Sequence, residues 1–374
     1  MKFIHLADLH LGKMLHQFNL IDLQKEILDQ VVAYVQNHDI QAVVIAGDIY
    51  DRSVPSQEAV NILNDFLNQL INEAHVKVLM ISGNHDSNDR LNFASAILES
   101  QGLYIETRLK PEMSYVEIAD VRFYMLPFFK PLHLKHLVKD INFTTYNEAM
   151  AYYLSYQNLD PRYRNILITH QFVGHHSQVS DSEMTLSVGG TDVIDPRLFA
   201  RFDYVALGHL HAPQSVQRKT IRYAGSLMRY SFSEVHQDKS FTVVDTDDMS
   251  LVTIPLIPSL QVTMYRGSYD DFIEHRIVTK NDDLLAIELT DNHLIPHAID
   301  QLRQRYPNVL QLTYPQLLLD KNLHLDHYHE VKNMSYYELF EHFYEDMTDQ
   351  KLDEASRTIV HELLDEAGGS NEAS

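Results

Sequence analysis

The sequence predicts an α/β fold in which two mixed β-sheets pack face to face with helices outside them, followed by a small α+β domain. Three observations lead there. From residue 2 to residue 81 the chain repeats strand, helix, strand, helix, strand, a rhythm that builds a largely parallel sheet through right-handed crossovers. Further on the rhythm changes to short paired strands, which need a second sheet. A chain of 374 residues, 45% of them hydrophobic, has room for about two domains and a tail at roughly 150 residues per domain.

The elements follow in order. Residues 2–6 form a short apolar strand that ends at Asp8. Residues 22–37 are a helix, with Leu23, Ile27, Val31 and Val35 on one face. Residues 42–46, Ala-Val-Val-Ile-Ala, are a buried strand closed by Gly47. Pro55 and Ser56 open a helix over 56–74, and the strand 76–81 is closed by Ser82-Gly83. Residues 114–126 are two strands joined at Ala119-Asp120, 145–157 are helical, and strands at 164–169 and 203–208 end at His170 and Gly208. Strands at 221–225, 240–245 and 251–257 are assigned to the second sheet.

The first domain is expected over 1–258, ending at Pro255 and Pro258. A strand at 284–289, a helix at 296–305 and a strand at 309–313 make a small α+β domain over 259–330. Residues 331–374 are expected to hold charged helices and a disordered tail from Gly368 to Ser374.

Composition bounds the function. There is no Cys, hence no disulfide and no Cys-ligated zinc, as suits a reducing compartment. The N-terminus lacks the apolar core of a signal peptide, and no apolar run approaches the roughly 18 residues that span a bilayer. A soluble, cytoplasmic protein with no membrane partner is expected. The net charge of −22 sits badly with nucleic acid, whose phosphates are usually met by excess Lys and Arg. That tension eases if bound cations or a partner supply positive charge. The 22 His residues are more telling, since imidazole is a common ligand of transition metals.

Five short motifs follow predicted strands: Asp8-Leu9-His10, Gly47-Asp48-Ile49-Tyr50-Asp51, Gly83-Asn84-His85-Asp86, Thr169-His170 and Gly208-His209-Leu210-His211. The C-terminal ends of strands are where α/β sheets bind ligands. Carboxylate, amide oxygen and imidazole suit divalent ions such as Mn²⁺, Fe²⁺ or Zn²⁺, and a carboxylate there can bridge two ions roughly 3.5–4 Å apart. The glycines before Asp48, Asn84 and His209 allow sharp turns. Asp8 and His10, like His209 and His211, are two apart and face one side if the segment is extended. Each motif alone is common; all five in order after strands form a specific pattern.

That pattern resembles the calcineurin-like metallophosphoesterase superfamily, a four-layer α/β/β/α sandwich. The resemblance implies one ion held by Asp8, His10, Asp48 and His211, and another by Asp48, Asn84, His170 and His209, with Asp48 bridging. It implies that His85 is no ligand but faces the scissile phosphate, stabilising the transition state or protonating the leaving oxygen. Asp51 is expected to orient His85 by accepting its other ring N–H, so that Asp51→Asn lowers turnover and keeps both metals. Bound ions would lower the pKa of a water and neutralise phosphoryl charge, with no Ser or Cys nucleophile needed.

The opening Phe3 to Gly12, the segment Tyr223 to Tyr230, the small domain after residue 258 and the acidic C-terminal helices are similar to the bacterial SbcD family over nearly the full length. This implies a manganese-dependent nuclease (Mg, Fe or Zn also fit), an ATP-assisted double-strand exonuclease and single-strand endonuclease in DNA repair, recombination and replication. It also implies a homodimer bound to two chains of the ATPase SbcC. Gly225-Ser226 and Arg229 could hold a DNA phosphate; a tight turn between strands explains them equally. Arg52 matches the phosphatase form of its motif and could touch phosphate, which leaves a phosphatase or phosphodiesterase acting on protein or a small molecule as the alternative.

Other clusters have plainer readings. His175 and His176, and His324, His327 and His329, are expected on surface loops. Tyr336, Tyr337, Phe340, Phe343 and Tyr344 lie at helical spacing, as for core packing or for a helix docked on a partner's coiled coil; the resemblance favours docking.

Overall fold

The structure is a computed structural model. It describes residues 1–138, 141–174, 179–181, 183, 192–277 and 282–317, and then residues 337, 340, 341, 344, 356, 357, 359 and 360. By its contacts the chain divides into two compact units. The first holds Met1–Tyr265 with Ile277–Ile287 and Ile299–Leu312, and the second holds Arg266–Arg276, Glu288–Ala298 and the described residues from Thr313 on.

Two six-stranded sheets dominate the first unit. In one, the parallel strands Lys2–Leu6, Ala42–Ala46, Lys77–Ile81 and Leu103–Glu106 lie side by side, and Ser240–Asp245 and Ser250–Pro255 extend the free edge of Lys2–Leu6 antiparallel. In the other, Val121–Leu126, Arg164–His170, Tyr204–Gly208 and Arg218–Tyr223 are parallel, with Ser114–Ile118 and Gln214–Val216 antiparallel at its two edges.

Alternation along the strands explains the layering, because successive side chains point to opposite faces. Phe3, Val44, Leu79 and Ile81 of the first sheet meet Phe123, Ile166, Ile168, Tyr204 and Ala206 of the second in a central core. Their neighbours Ile4, Leu6, Val43, Ile45, Val78 and Met80 face the helices Ile21–Asn37 and Gln57–Asn68. Leu167, Val205, Leu207 and Tyr124 face Pro131–Leu137 and Tyr146–Ser155. The four layers α/β/β/α are those implied by the family resemblance.

Local signals place the helices. Ser56 accepts from the Ala59 N–H at 3.2 Å. Thr145 and Glu148 form a capping box, Glu148 N donating to Thr145 Oγ1 at 3.1 Å, which satisfies donors that a helix start leaves unpaired. The helix expected to run unbroken over 56–74 is α-helical over Gln57–Asn68 and continues as a π-helical turn over Gln69–Glu73.

One assignment needs correction. The strands at 240–245 and 250–255 join the first sheet, not the second, because Ser240–Asp245 pairs with Lys2–Leu6. Alternation specifies that a strand is half-buried but not which sheet it joins. The strands Leu103–Glu106 and Val262–Gly267 were not expected.

Val262–Gly267, Leu284–Leu289 and Val309–Thr313 form a three-stranded sheet with Leu284–Leu289 central. Val262, Leu284 and Ala286 pack with Leu20, Leu23, Met228 and Tyr230. In the second unit Ser268 caps the short helix Tyr269–Ile273, and Tyr269 N donates to Asp291 Oδ2 at 2.8 Å. Tyr337, Phe340 and Tyr344 are helical. Tyr336 and Phe343, the pair His175–His176, the three residues His324, His327 and His329, and the tail from Gly368 lie outside the described residues.

Candidate metal centre

The C-terminal ends of the parallel strands of both sheets bring the five motifs together. Asp8 and His10 leave Lys2–Leu6, Asp48 leaves Ala42–Ala46, and Asn84 and His85 leave Lys77–Ile81; His170 ends its own strand, and His209 and His211 follow Tyr204–Gly208. The turns are tight. His10 N donates to Asp48 O at 3.0 Å and Leu11 N to Ile49 O at 3.0 Å, which laces the first two loops together.

The backbone here is strained. Asp8, His10, Asp48 and His209 have φ of 51°, 43°, 49° and 105°, a region that L-residues seldom adopt. Such outliers persist where the surrounding structure over-determines them, and they cluster at functional sites. The extended geometry expected for Asp8-x-His10 and His209-x-His211 is therefore not what converges their side chains; left-handed turns do it. The glycines serve close approach as well as turning. A Cβ on Gly208 would lie 1.9 Å from Ala46 O, and one on Gly83 2.1 Å from Asp48 Oδ1.

The side chains converge in two groups. His10 Nε2 lies 3.1 Å from His211 Nε2 and 3.6 Å from Asp48 Oδ2. His170 Nε2 is 3.3 Å from Asp48 Oδ2. Both His170 Nε2 and His209 Nδ1 are 2.9 Å from Asn84 Oδ1. Asp8, His10 and His211 form one tight set of potential ligand atoms, and Asp8, Asp48 and His170 another; all five residues are buried. His10, Asp51 and His85 form a third set. Asp48 thus stands between the two groups of imidazoles.

The electrostatics fit a cation-binding site. Burial pushes the Asp8 carboxyl up to about 7, with His170 and His211 partly offsetting it. Burial also acts to raise Asp48, but His170, His10 and His85 outweigh it and hold it below the ordinary carboxylate range. Burial acts to lower His170, and Asp48 outweighs it, lifting the ring to about 9. His209 falls to about 3 through burial and the nearby His170, and burial holds His10 well below its ordinary value. Two buried carboxylates ionise together only beside added positive charge. Divalent ions bound by these O and N donors would supply it.

Supporting contacts set ring orientation. His170 Nδ1 is 2.8 Å from Ala46 O, and His211 Nδ1 is 3.1 Å from Glu234 Oε1. Each such acceptor calls for Nδ1–H and leaves the Nε2 lone pair for a ligand role. Buried Gln24 donates to Leu9 O and His10 O at 3.1 and 2.8 Å and accepts from Gly12 N at 2.9 Å, gripping the first loop. Asp86 takes three N–H groups, from Gly83 at 2.9 Å, Ile49 at 3.1 Å and Tyr50 at 3.0 Å, which ties the second loop to the third. Gln24, Glu234 and Lys239 were not singled out from sequence. The available signals were a Gln on the apolar side of a helix and an acid and a base five apart at Glu234 and Lys239.

His85 is less enclosed, its side chain 26% exposed, with Nε2 4.0 Å from Asp48 Oδ2. Its Nδ1 lies 3.0 Å from the main-chain oxygen of Asp51, not from the carboxylate as expected. The Asp51 carboxylate instead pairs with Lys13 Nζ at 2.8 Å and sits 3.7 Å from His10 Nδ1. The turn directs its carbonyl, rather than its side chain, at the His85 ring.

Two residues expected to touch DNA have other work. Ser226 is fully buried; its hydroxyl donates to Met228 O at 2.9 Å and accepts from Lys239 Nζ at 2.9 Å. Arg229 donates through Nε to Gln237 O at 3.0 Å and through Nη1 to Val262 O at 2.9 Å. With Gly225 at φ 80°, the segment is the tight turn that its chemistry allowed. Arg52 stays at the surface, 77% exposed, with Nε 3.7 Å from Asp51 Oδ2.

A family model described as calcineurin-like phosphoesterase matches residues 1–213, which contain all five motifs. The chain is 36% identical over 370 residues to the SbcD subunit of the nuclease SbcCD from Staphylococcus epidermidis, covering 97% of this chain and 98% of that protein. The chain belongs to the SbcD family of calcineurin-like phosphoesterases. A second model, described as a type 5 capsule protein repressor C-terminal domain, matches residues 260–348 of this SbcD-family chain. Among solved structures, a dimetal phosphatase from Danio rerio aligns at 12% identity over 69% of this chain and 99% of its own, with a TM-score of 0.41. An archaeal phosphodiesterase aligns at 12% identity over 68% of this chain and 100% of its own, with a TM-score of 0.31. Those two likenesses are too weak to carry an argument. Among the described residues, no helix of this SbcD-family chain is long and apolar enough to cross a membrane.

Proposed function

We propose that the chain is a metal-dependent DNA nuclease that hydrolyses phosphodiester bonds at a two-ion centre and works with an SbcC-type ATPase. The observation that carries this reading is the convergence of buried imidazoles from one sheet on the carboxylates and amide of the other, around Asp48. Likeness across nearly the whole length to a protein named as a nuclease subunit favours DNA over a small ester or a phosphoprotein.

Asp8, His10, Asp48 and His211 would hold one ion, and Asp48, Asn84, His170 and His209 the other. When bound, two such ions lower the pKa of a water and cancel charge on the phosphoryl oxygens. Mn²⁺ is the ion proposed. The protein's own residues do the rest. His85 donates its Nδ1–H to Asp51 O, so Nε2 is the atom that takes or gives a proton, and it lies on the open side of the cluster where a leaving oxygen can reach it. Arg52, exposed beside Asp51, would meet a backbone phosphate.

The reading extends to ATP-assisted double-strand exonuclease and single-strand endonuclease activity in repair, recombination and replication, in the cytoplasm. It also includes a homodimer bound to two ATPase chains, with the region after residue 331 docking on the partner. The small α+β domain over 259–330 would take part in DNA binding.

The test is Mn²⁺-dependent cleavage of a linear duplex, with and without the ATPase and ATP, beside a His85→Gln variant and a small phosphodiester. Cleavage lost in the variant supports the reading. Hydrolysis of the small ester alone, even with ATPase and ATP, would leave a phosphodiesterase of the same family.

A further inference from the structure

His211 is held at three points. Its N–H donates to Glu183 Oε1 at 2.6 Å, its Nδ1 meets Glu234 Oε1 at 3.1 Å, and its carbonyl accepts from Lys239 Nζ at 2.8 Å. Glu234 and Lys239 are themselves a buried pair, with Nζ 2.7 Å from Oε2 and side chains 0% and 3% exposed. The pair is closed by further bonds. Glu234 Oε2 accepts from Tyr230 N at 3.2 Å, and Lys239 donates to Ser226 Oγ at 2.9 Å and to Gln237 Oε1 at 2.7 Å.

A buried ion pair is weak evidence for stability, since well-packed apolar residues of like volume often replace one at no loss. This one has a geometry that stability alone does not call for. One carboxylate oxygen faces the ammonium, and the other faces Nδ1 of a ring whose Nε2 points into the candidate metal centre.

We propose that Glu234 and Lys239 are positioning residues for the ion held by Asp8, His10, Asp48 and His211. Glu234 accepts Nδ1–H of His211, which fixes the ring's tautomer and angle and makes Nε2 the better donor. Lys239 anchors that carboxylate and the His211 carbonyl together, so the ring cannot swing with its loop. In the other imidazole group His170 Nδ1 meets a neutral main-chain oxygen at 2.8 Å, with the Asp8 carboxylate farther off at 3.9 Å. The two ions therefore differ in how strongly the pair acts on them. This rests on the two-ion reading above.

The test is Mn²⁺ binding by calorimetry to the full chain, comparing wild type, Glu234→Gln and the double variant Glu234→Leu with Lys239→Met. The double variant replaces the pair by apolar groups and guards against misfolding from a lone buried charge. Loss of an outer partner of a ligating His typically costs about 10–100-fold in metal affinity. We expect that loss at one of two ions in both variants, the other ion and the melting temperature of the double variant holding near wild type. The ¹⁵N shift of His211 should report loss of the single tautomer in Glu234→Gln. Unchanged affinity at both ions overturns the proposal, as does equal loss at both together with lost thermal stability. A wild-type chain that binds fewer than two ions overturns the two-ion reading instead.

Discussion

The two sheets bring different chemistry to the centre. The first supplies every proposed oxygen donor, Asp8, Asp48 and Asn84, with one imidazole, His10, and the less enclosed His85. The second supplies only imidazoles, His170, His209 and His211. Asp8, His10 and Asp48 of the first sheet sit at left-handed turns, as does His209 of the second, whereas His170 is part of a regular strand. Neither sheet holds a complete site. The cluster exists only because the sheets meet at a distance set by small residues, where Gly208 approaches Ala46 O and Gly47 approaches His170.

Several substitutions break that partnership or sharpen it. The largest effect is expected from Asp48→Ala, which removes the carboxylate between the two groups. Both Mn²⁺ ions should be lost to calorimetry and DNA cleavage should fall below detection. His85→Gln should lower turnover by about 10²–10⁴-fold, the usual worth of a proton-transfer group, while two ions still bind. Gly208→Ala attacks the seam itself. Its methyl group would need the sheets to part, costing about 1–3 kcal/mol as overpacking does, read as a lower denaturant midpoint together with weaker metal binding. Asp51→Asn should do least. The His85 bond to the Asp51 main chain survives, so turnover should stay close to wild type with both ions bound. A large loss of turnover with both ions retained would return the carboxylate to the role first expected of it.

Much of this was legible before the fold was known. Every proposed ligand lies within a few residues of the end of an apolar run, so strand ends and ligands announce one another along the chain. The helix start at Ser56 was equally local. What could not be read was long-range. Strand alternation in 240–255 gave burial but no partner, and its true neighbour is the chain's first strand. Glu234 and Lys239 reach back 23 and 28 residues to His211, and Gln24 reaches 14 and 15 residues back to His10 and Leu9. Ser226 and Arg229 have the side chains of a phosphate site, and only packing shows that they donate to Met228, Gln237 and Val262. For Asp51, chemistry suggested the carboxylate, and the turn presents the carbonyl.

The left-handed backbone at Asp8, His10, Asp48 and His209 has a consequence for how such a centre can change over evolutionary time. Asp, Asn and His are the L-residues most at ease with positive φ, and they are also donors suited to divalent cations. One small alphabet meets both demands, so the turns that aim the donors cost least when the donors themselves occupy them. Replacing Asp48 by Val therefore changes two properties at once, coordination and the permitted path of the chain. Asn in its place changes the first alone. A drift toward β-branched residues at these positions would unmake the loop before it unmade the chemistry. A drift among Asp, Asn and His leaves the loop standing, free to explore another ion.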